Sequence, residues 1–179
     1  MCSQKSPVTD PGSFAATEAR IRRTHERFPA FRRDAAVLVR LVRHIQAQVH
    51  DAANAILREH GLNHADYNIL IMLYGSADQA MNPSQLGGAA GEKSANLTRI
   101  CNGLVDRGLV DRVADPQGDR RKVQLSLTRR GVELLEALLP VMTDLLDRCM
   151  LGFAPDERDQ LEHLLKRLLV NVEALGRPA

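Results

Sequence analysis

Beyond Pro29, apolar side chains recur every three or four residues: Val37, Leu38, Leu41, Val42, Ile45, Val49, Ala52, Ala53 and Ile56. This spacing forms one stripe of a long amphipathic helix, predicted over 35–57 and ended near Gly61. Asn63 or His64 is placed to cap a second helix, which contains Tyr67, Ile69, Leu70, Ile71 and Leu73 and stops at Gly75. That helix is apolar on most faces and belongs inside a core. Residues 75–82 are polar and read as a loop. Asn82-Pro83 opens a short third helix, with proline at the first helical position, where it is tolerated. Leu86, Ala89 and Ala90 are its inward positions. Gly87 and Gly88 cost this helix about 1 kcal/mol each relative to alanine, so it is expected to be short. Gly91 interrupts the pattern. A fourth helix follows over 93–107, with Leu97, Ile100, Cys101, Leu104 and Val105 facing inward and Gly108 as its stop.

The period then changes. Residues 109–114 and 122–127 are strand-like, Val123, Leu125 and Leu127 alternating with Lys122, Gln124 and Ser126. Between them, residues 115–121 are rich in turn formers. Thr128 caps a fifth helix to about 150, with Pro140 expected to kink it. Pro155-Asp156-Glu157 opens a last helix carrying Leu161, Leu164, Leu165, Leu168, Leu169, Val172 and Leu175. Residues 1–12 lack periodicity and read as a frayed terminus, followed by a short basic segment (Arg20, Arg22, Arg23, Arg27) before Pro29. The expected fold is mainly α with a small β-hairpin: five or six helices, and a two-stranded hairpin between the fourth and fifth. A hairpin after a short-helix pair is the layout of a winged helix-turn-helix.

Composition narrows the class. The 179 residues suit one domain, or two small ones sharing a core, and 44% are apolar, as in a globular protein. The longest apolar run, 69–74, is far below the ~18–20 residues of a membrane span. The start lacks the basic-then-apolar pattern of a secretory signal, so a reducing cytoplasm is the expected compartment. Cys2, Cys101 and Cys149 are odd in number and far apart, which gives neither a disulfide framework nor a metal-ligand pair. There is no HExxH, phosphate-binding glycine loop or nucleophile elbow, so neither an enzyme nor a cofactor is expected. Net charge is only +2, but it is unevenly spread: +5 over 1–50, −3 over 51–83, +4 over 84–131 and −4 over 132–179. A basic block between acidic neighbours is a candidate polyanion surface, although chance scatter of four charges gives the same sum.

That block contains the helix-turn-helix, whose second helix is the element that enters a major groove. With the apolar side inward, Lys93, Ser94, Ala95, Asn96, Thr98 and Arg99 form its outer N-terminal face. Ser94 and Asn96 can hydrogen-bond bases or phosphates, Arg99 can grip a guanine or a phosphate, and Ala95 permits close approach. The helix N-terminus adds N–H groups and a positive dipole end. Taken alone, the same residues also suit an ordinary solvated helix. Asp119-Arg120-Arg121 puts two guanidiniums at the tip of the hairpin, where a wing can reach a narrow, electronegative minor groove. Asp119 is placed to orient Arg121 through a charge-assisted pair.

Four stretches resemble the signature of MarR-type winged helix-turn-helix regulators. They are Leu97-Thr98-Arg99-Ile100, Leu104-Val105-Asp106-Arg107-Gly108-Leu109-Val110, Asp119-Arg120-Arg121, and Leu125-Ser126-Leu127-Thr128-Arg129-Arg130-Gly131. His25-Glu26-Arg27-Phe28-Pro29 and Arg40-Leu41-Val42-Arg43-His44-Ile45-Gln46 are most similar to the EmrR/MprA branch, which represses multidrug efflux genes. The resemblance implies a homodimer on double-stranded DNA. Residues 31–62 and 140–179 would form its dimerisation region, 63–139 the DNA-binding lobe, and 1–30 an extension. The leucine stripe of the last helix agrees, because it is wider than one small chain can cover. A two-fold dimer favours a pseudo-palindromic operator.

The resemblance also implies a small aromatic or phenolic effector that releases the DNA. Arg40, His44 and Gln48 on the first long helix, and Tyr67, Met72 and Tyr74 on the next, are candidates to pair a carboxylate and contact a ring. Each also suits an ordinary solvated or core position. Two alternatives stay open: a thiol-based redox sensor, and a nucleic-acid-binding module with no effector.

Overall fold

The computed structural model describes residues 12–114 and 123–176. Within them the chain forms seven helices and three strands and divides after His64 into two compact units.

The first unit contains α1 (Gly12–Arg27) and α2 (Arg33–Arg58). Helix α1 was not expected from the sequence. It buries only Phe14 and Ile21, seven residues apart, and two positions are too few to register as a periodic stripe. The Phe14 ring lies 5.6 Å from that of His44 on α2, and Arg33 donates to Glu18 at 2.6 Å. His25 Nδ1–H donates to the Phe31 carbonyl at 2.8 Å, which closes the turn after α1. Helix α2 matches its predicted span. It buries Ala53 and Leu57 near its end yet leaves Leu38, Val39, Val42 and Ile45 exposed. Gly61, at φ 65°, lets the chain leave the helix.

The second unit is built on α3 (His64–Tyr74), α4 (Pro83–Ala90), α5 (Ser94–Asp106) and α6 (Arg129–Cys149), with strands β1 (Ala80–Met81), β2 (Val110–Ala114) and β3 (Val123–Leu127). The sheet is antiparallel in the order β1-β3-β2, with Val110 opposite Leu127 and Ala80 opposite Ser126. The expected hairpin is therefore a three-stranded sheet. Strand β1 lies in what read as a polar loop, because two residues are too short for alternation to show. The core joins Ile69, Leu70 and Leu73 of α3, Leu86 of α4, Leu97, Ile100, Cys101 and Leu104 of α5, and Leu135, Leu138 and Met142 of α6. Of the inward positions expected on α4, Ala89 is instead exposed.

Thr128 is the whole connection between β3 and α6. Its Oγ1 accepts from Gly131 N–H at 2.9 Å and donates to the Gly108 carbonyl at 2.8 Å, while its N–H donates to Leu109 O at 3.1 Å. A Cβ on Gly131 would collide with that same Leu109 carbonyl oxygen. Pro140 lies inside α6 without ending it. Helix α7 (Pro155–Leu175) opens with Glu157 accepting from Ala154 N–H at 2.9 Å. It buries none of its residues, and Leu164, Leu165, Leu169, Val170 and Val172 are exposed. Among the described residues, no helix is long and apolar enough to cross a membrane.

Candidate nucleic-acid interface

Helices α4 and α5 are joined by a turn that the sequence specifies closely. Asn82 Oδ1 accepts from Gln85 N–H at 2.8 Å and starts α4. At the other end Gly91 adopts φ 67°, and Glu92 N–H returns to Gly87 O at 3.0 Å. This is the left-handed glycine stop. The two glycines of α4 differ in role. A Cβ at Gly87 would meet Leu97 Cδ2 at 3.3 Å, so its absence lets α5 approach, whereas Gly88 faces open space. Asn68 Nδ2 donates to Ala90 O at 3.0 Å and ties the end of α4 to α3.

Helix α5 is divided as its pattern predicts. Leu97, Ile100, Cys101 and Leu104 are buried, and Val105 is half-buried. On the outer side Lys93, Ser94, Ala95, Thr98 and Arg99 are exposed. Asn96 is half-buried and already engaged: its Nδ2 donates to Glu92 Oε2 at 2.6 Å, and its Oδ1 accepts from Arg99 Nη2 at 2.9 Å. Thr98 Oγ1 donates back to Ser94 O at 2.9 Å. Lys93, at the N-cap, supplies no side-chain acceptor, which suits a helix end offered to phosphate. Pro83, Ser84, Gly87, Gly88, Glu92, Ser94, Leu97 and Thr98 line a cleft of about 420 Å³ between α4 and α5.

Sequence reasoning missed two partners here. Glu92 sits just outside α5 and shows no pattern of its own. Arg112, exposed on β2, donates to Asn102 of α5, a pairing across ten residues that links strand and helix. Burial pushes the Cys101 thiol up from its ordinary value, with Arg112 acting weakly in the opposite sense. Asp119, Arg120 and Arg121 of the wing tip lie outside the described residues.

The candidate effector residues fall into two groups, one in each unit. On α2, Arg40 and His44 join Phe14, Thr17, Arg43 and Ala47 around a groove of about 190 Å³, floored in part by the unexpected α1. His44 Nε2 shares a hydrogen bond with Ser13 Oγ at 3.0 Å. Gln48 is exposed and does not line that groove. In the second unit, Tyr67 and Met72 are half-buried, and burial raises the Tyr67 phenol. Tyr74 donates to Glu136 Oε1 at 3.2 Å, and that bond raises its phenol.

A family model described as MarR family matches residues 60–122, the stretch from the end of α2 through β2 and into the wing. Transcriptional repressor MprA of Escherichia coli K12 is 30% identical over 175 residues, covering 98% of this chain and 94% of that protein. The chain belongs to the MarR family. It is thus a transcription regulator with a winged helix-turn-helix and not an enzyme. Among solved MarR-family structures, a cysteine-to-serine mutant of E. coli MarR complexed with operator DNA is 27% identical, with a TM-score of 0.66 over 81% of this chain and 96% of that one. AbsC of Streptomyces coelicolor, at 23% identity, shares the fold with a TM-score of 0.70 over 79% of this chain and 96% of its own.

Proposed function

We propose that this MarR-family protein is a cytoplasmic homodimeric repressor that binds a pseudo-palindromic operator and is released by a small aromatic or phenolic ligand. The observation that carries the DNA-binding part is the two-sided α5, whose apolar half is buried while Lys93, Ser94, Ala95, Thr98 and Arg99 are presented outward. This arrangement supports insertion of the N-terminal half of α5 into a major groove, with Arg99 presented to the base edges and Asn96 behind it. Arg120 and Arg121, the latter oriented by Asp119, would take the adjacent minor groove. Likeness to a MarR protein whose structure contains operator DNA, and to a relative named as a repressor, favours the same reading.

Self-association is supported by α7, which buries nothing within its own chain, and by the exposed apolar face of α2. Residues 31–62 and 140–179 would supply that contact and 63–139 the DNA lobe. For the effector, the groove lined by Arg40 and His44 offers a guanidinium and an imidazole for a carboxylate; separately, in the second unit, Tyr67, Met72 and Tyr74 are candidates for ring contacts. A ligand can release DNA only by binding one arrangement of the dimer better than the other. The resemblance of residues 25–29 and 40–46 to the EmrR/MprA branch favours multidrug efflux or aromatic-compound genes as targets.

A gel shift on the DNA upstream of the protein's own gene, with a scrambled competitor and a salt series, tests the binding. Preference for the upstream fragment is expected, and Arg121→Ala should weaken binding and flatten the salt dependence. No preference over the competitor overturns the reading. A thermal-shift screen with salicylate-like compounds tests the effector.

A further inference from the structure

Glu92 lies beside the outer face of α5, where a carboxylate is electrostatically unfavourable next to a phosphate backbone. Its geometry gives it a role. The backbone of Glu92 is fixed by the turn, with Gly91 in the left-handed region and the Glu92 N–H bonded to Gly87 O at 3.0 Å. Its Oε2 accepts from Asn96 Nδ2 at 2.6 Å, and Asn96 Oδ1 in turn accepts from Arg99 Nη2 at 2.9 Å. The chemistry of the ends dictates the sense of the middle. A carboxylate only accepts and a guanidinium only donates, so the Asn96 amide has to turn its NH₂ to Glu92 and its carbonyl to Arg99. With the amide flipped, both contacts would fail.

Arg99 is thus held in one orientation by a short relay that begins in the helix-turn-helix turn. A single bond to Asn96 occupies one of the five guanidinium N–H groups, which leaves a two-pronged edge for the O6 and N7 of a guanine. Held in advance, the side chain loses less rotamer freedom when it reads a base.

We propose that Glu92 is a positioning residue for sequence choice: through Asn96 it orients Arg99, so discrimination at the base pair Arg99 reads depends on a carboxylate that touches no base. This rests on the assignment of α5 as the recognition helix, and the test separates the two.

The protein and its Glu92→Ala, Glu92→Gln and Arg99→Ala variants would each select bound duplexes from a randomised pool. Affinity for the selected site and for a scrambled duplex would then be measured. Glu92→Ala should lower the ratio of selected to scrambled binding about tenfold, the size of one good base contact, and blur the consensus at one position in each half-site. Glu92→Gln keeps an acceptor for Asn96 and should retain most of that ratio. Both variants lose the same charge, so equal effects from the two would mean simple electrostatics and overturn the relay. In an Arg99→Ala background, Glu92→Ala should change the ratio no further. A sharp consensus unaffected by Glu92→Ala, while Arg99→Ala blurs it, sinks the relay alone. No consensus from the parent protein sinks the recognition-helix reading itself.

Discussion

At Gly131, an atom that is missing decides whether β3 can pass directly into α6. The Leu109 carbonyl occupies the place of a side chain there, so Gly131→Ala forces the helix start away from Leu109, the residue before β2. A loss of about 1–3 kcal/mol is expected, as for other overpacked sites, or ~2–4 °C of melting temperature per kcal/mol. Gly88→Ala is the control. It faces open space inside a helix and should stabilise by about 0.5–1 kcal/mol. Both are read by thermal denaturation, and equal shifts would mean that the packing at Leu109 is not what requires glycine. Cys101 gives a chemical test of the redox alternative. Its burial and raised thiol predict that it alkylates slowly in the native protein and rapidly after denaturation, with half-buried Cys149 reacting sooner. Mass spectrometry on a Cys2→Ser variant measures this, and rapid native labelling of Cys101 would revive thiol sensing. The sequence revealed which face of α5 is buried because that face repeats with a helical period. Glu92 was not legible, since its role comes from two hydrogen bonds across a turn and leaves no periodic trace.

Among elements, the end of the first unit, where His64 meets α2, carries a pH dependence. The His50 and His64 rings lie 4.8 Å apart, and His64 N–H donates to Asn54 Oδ1 at 2.8 Å. Burial first, and the neighbouring His50 second, lower the His64 pKa from its ordinary 6.5. The unfolded chain therefore takes up the proton before the folded one does. This contribution to stability is complete above 6.5 and is lost as pH falls from there through the folded value. Melting temperatures across that range should drop less for His64→Gln than for the parent. A parallel decline would remove His64 from the account. Helices α2, α5 and α7 were legible because each carries at least four apolar positions at regular spacing. Helix α1, anchored by Phe14 and Ile21 alone, and β1, two residues long, fall below what a period can reveal. Proline chemistry was informative at Pro83 and Pro155, both first helical positions, and the expected run of the fifth helix through Pro140 to about 150 matches α6, which holds that proline inside it.

For the molecule as a whole, net charge says little and its distribution says more: the +4 stretch coincides with α5 and the wing, and the −4 stretch with α6 and α7. The larger signal is apolar. Leu165 and Leu169 of α7 remain 44% and 56% exposed in the single chain. Replacing both by Glu should turn the proposed dimer into a monomer in analytical ultracentrifugation and remove most operator affinity, because one recognition helix would then replace two. A variant that still sediments as a dimer would place the contact elsewhere. The leucine stripe announced this surface in the sequence, but what covers it has no counterpart in any local pattern. The one-residue passage at Thr128 bears, finally, on how such a chain can change length. Inserting a single residue there turns α6 by about 100° about its axis, carrying Leu135, Leu138 and Met142 out of the core together. Related chains are therefore expected to differ in length at the tip between β2 and β3 and to keep their count from Leu125 to Gly131, and an insertion scan read by soluble expression would show that boundary as a sharp edge.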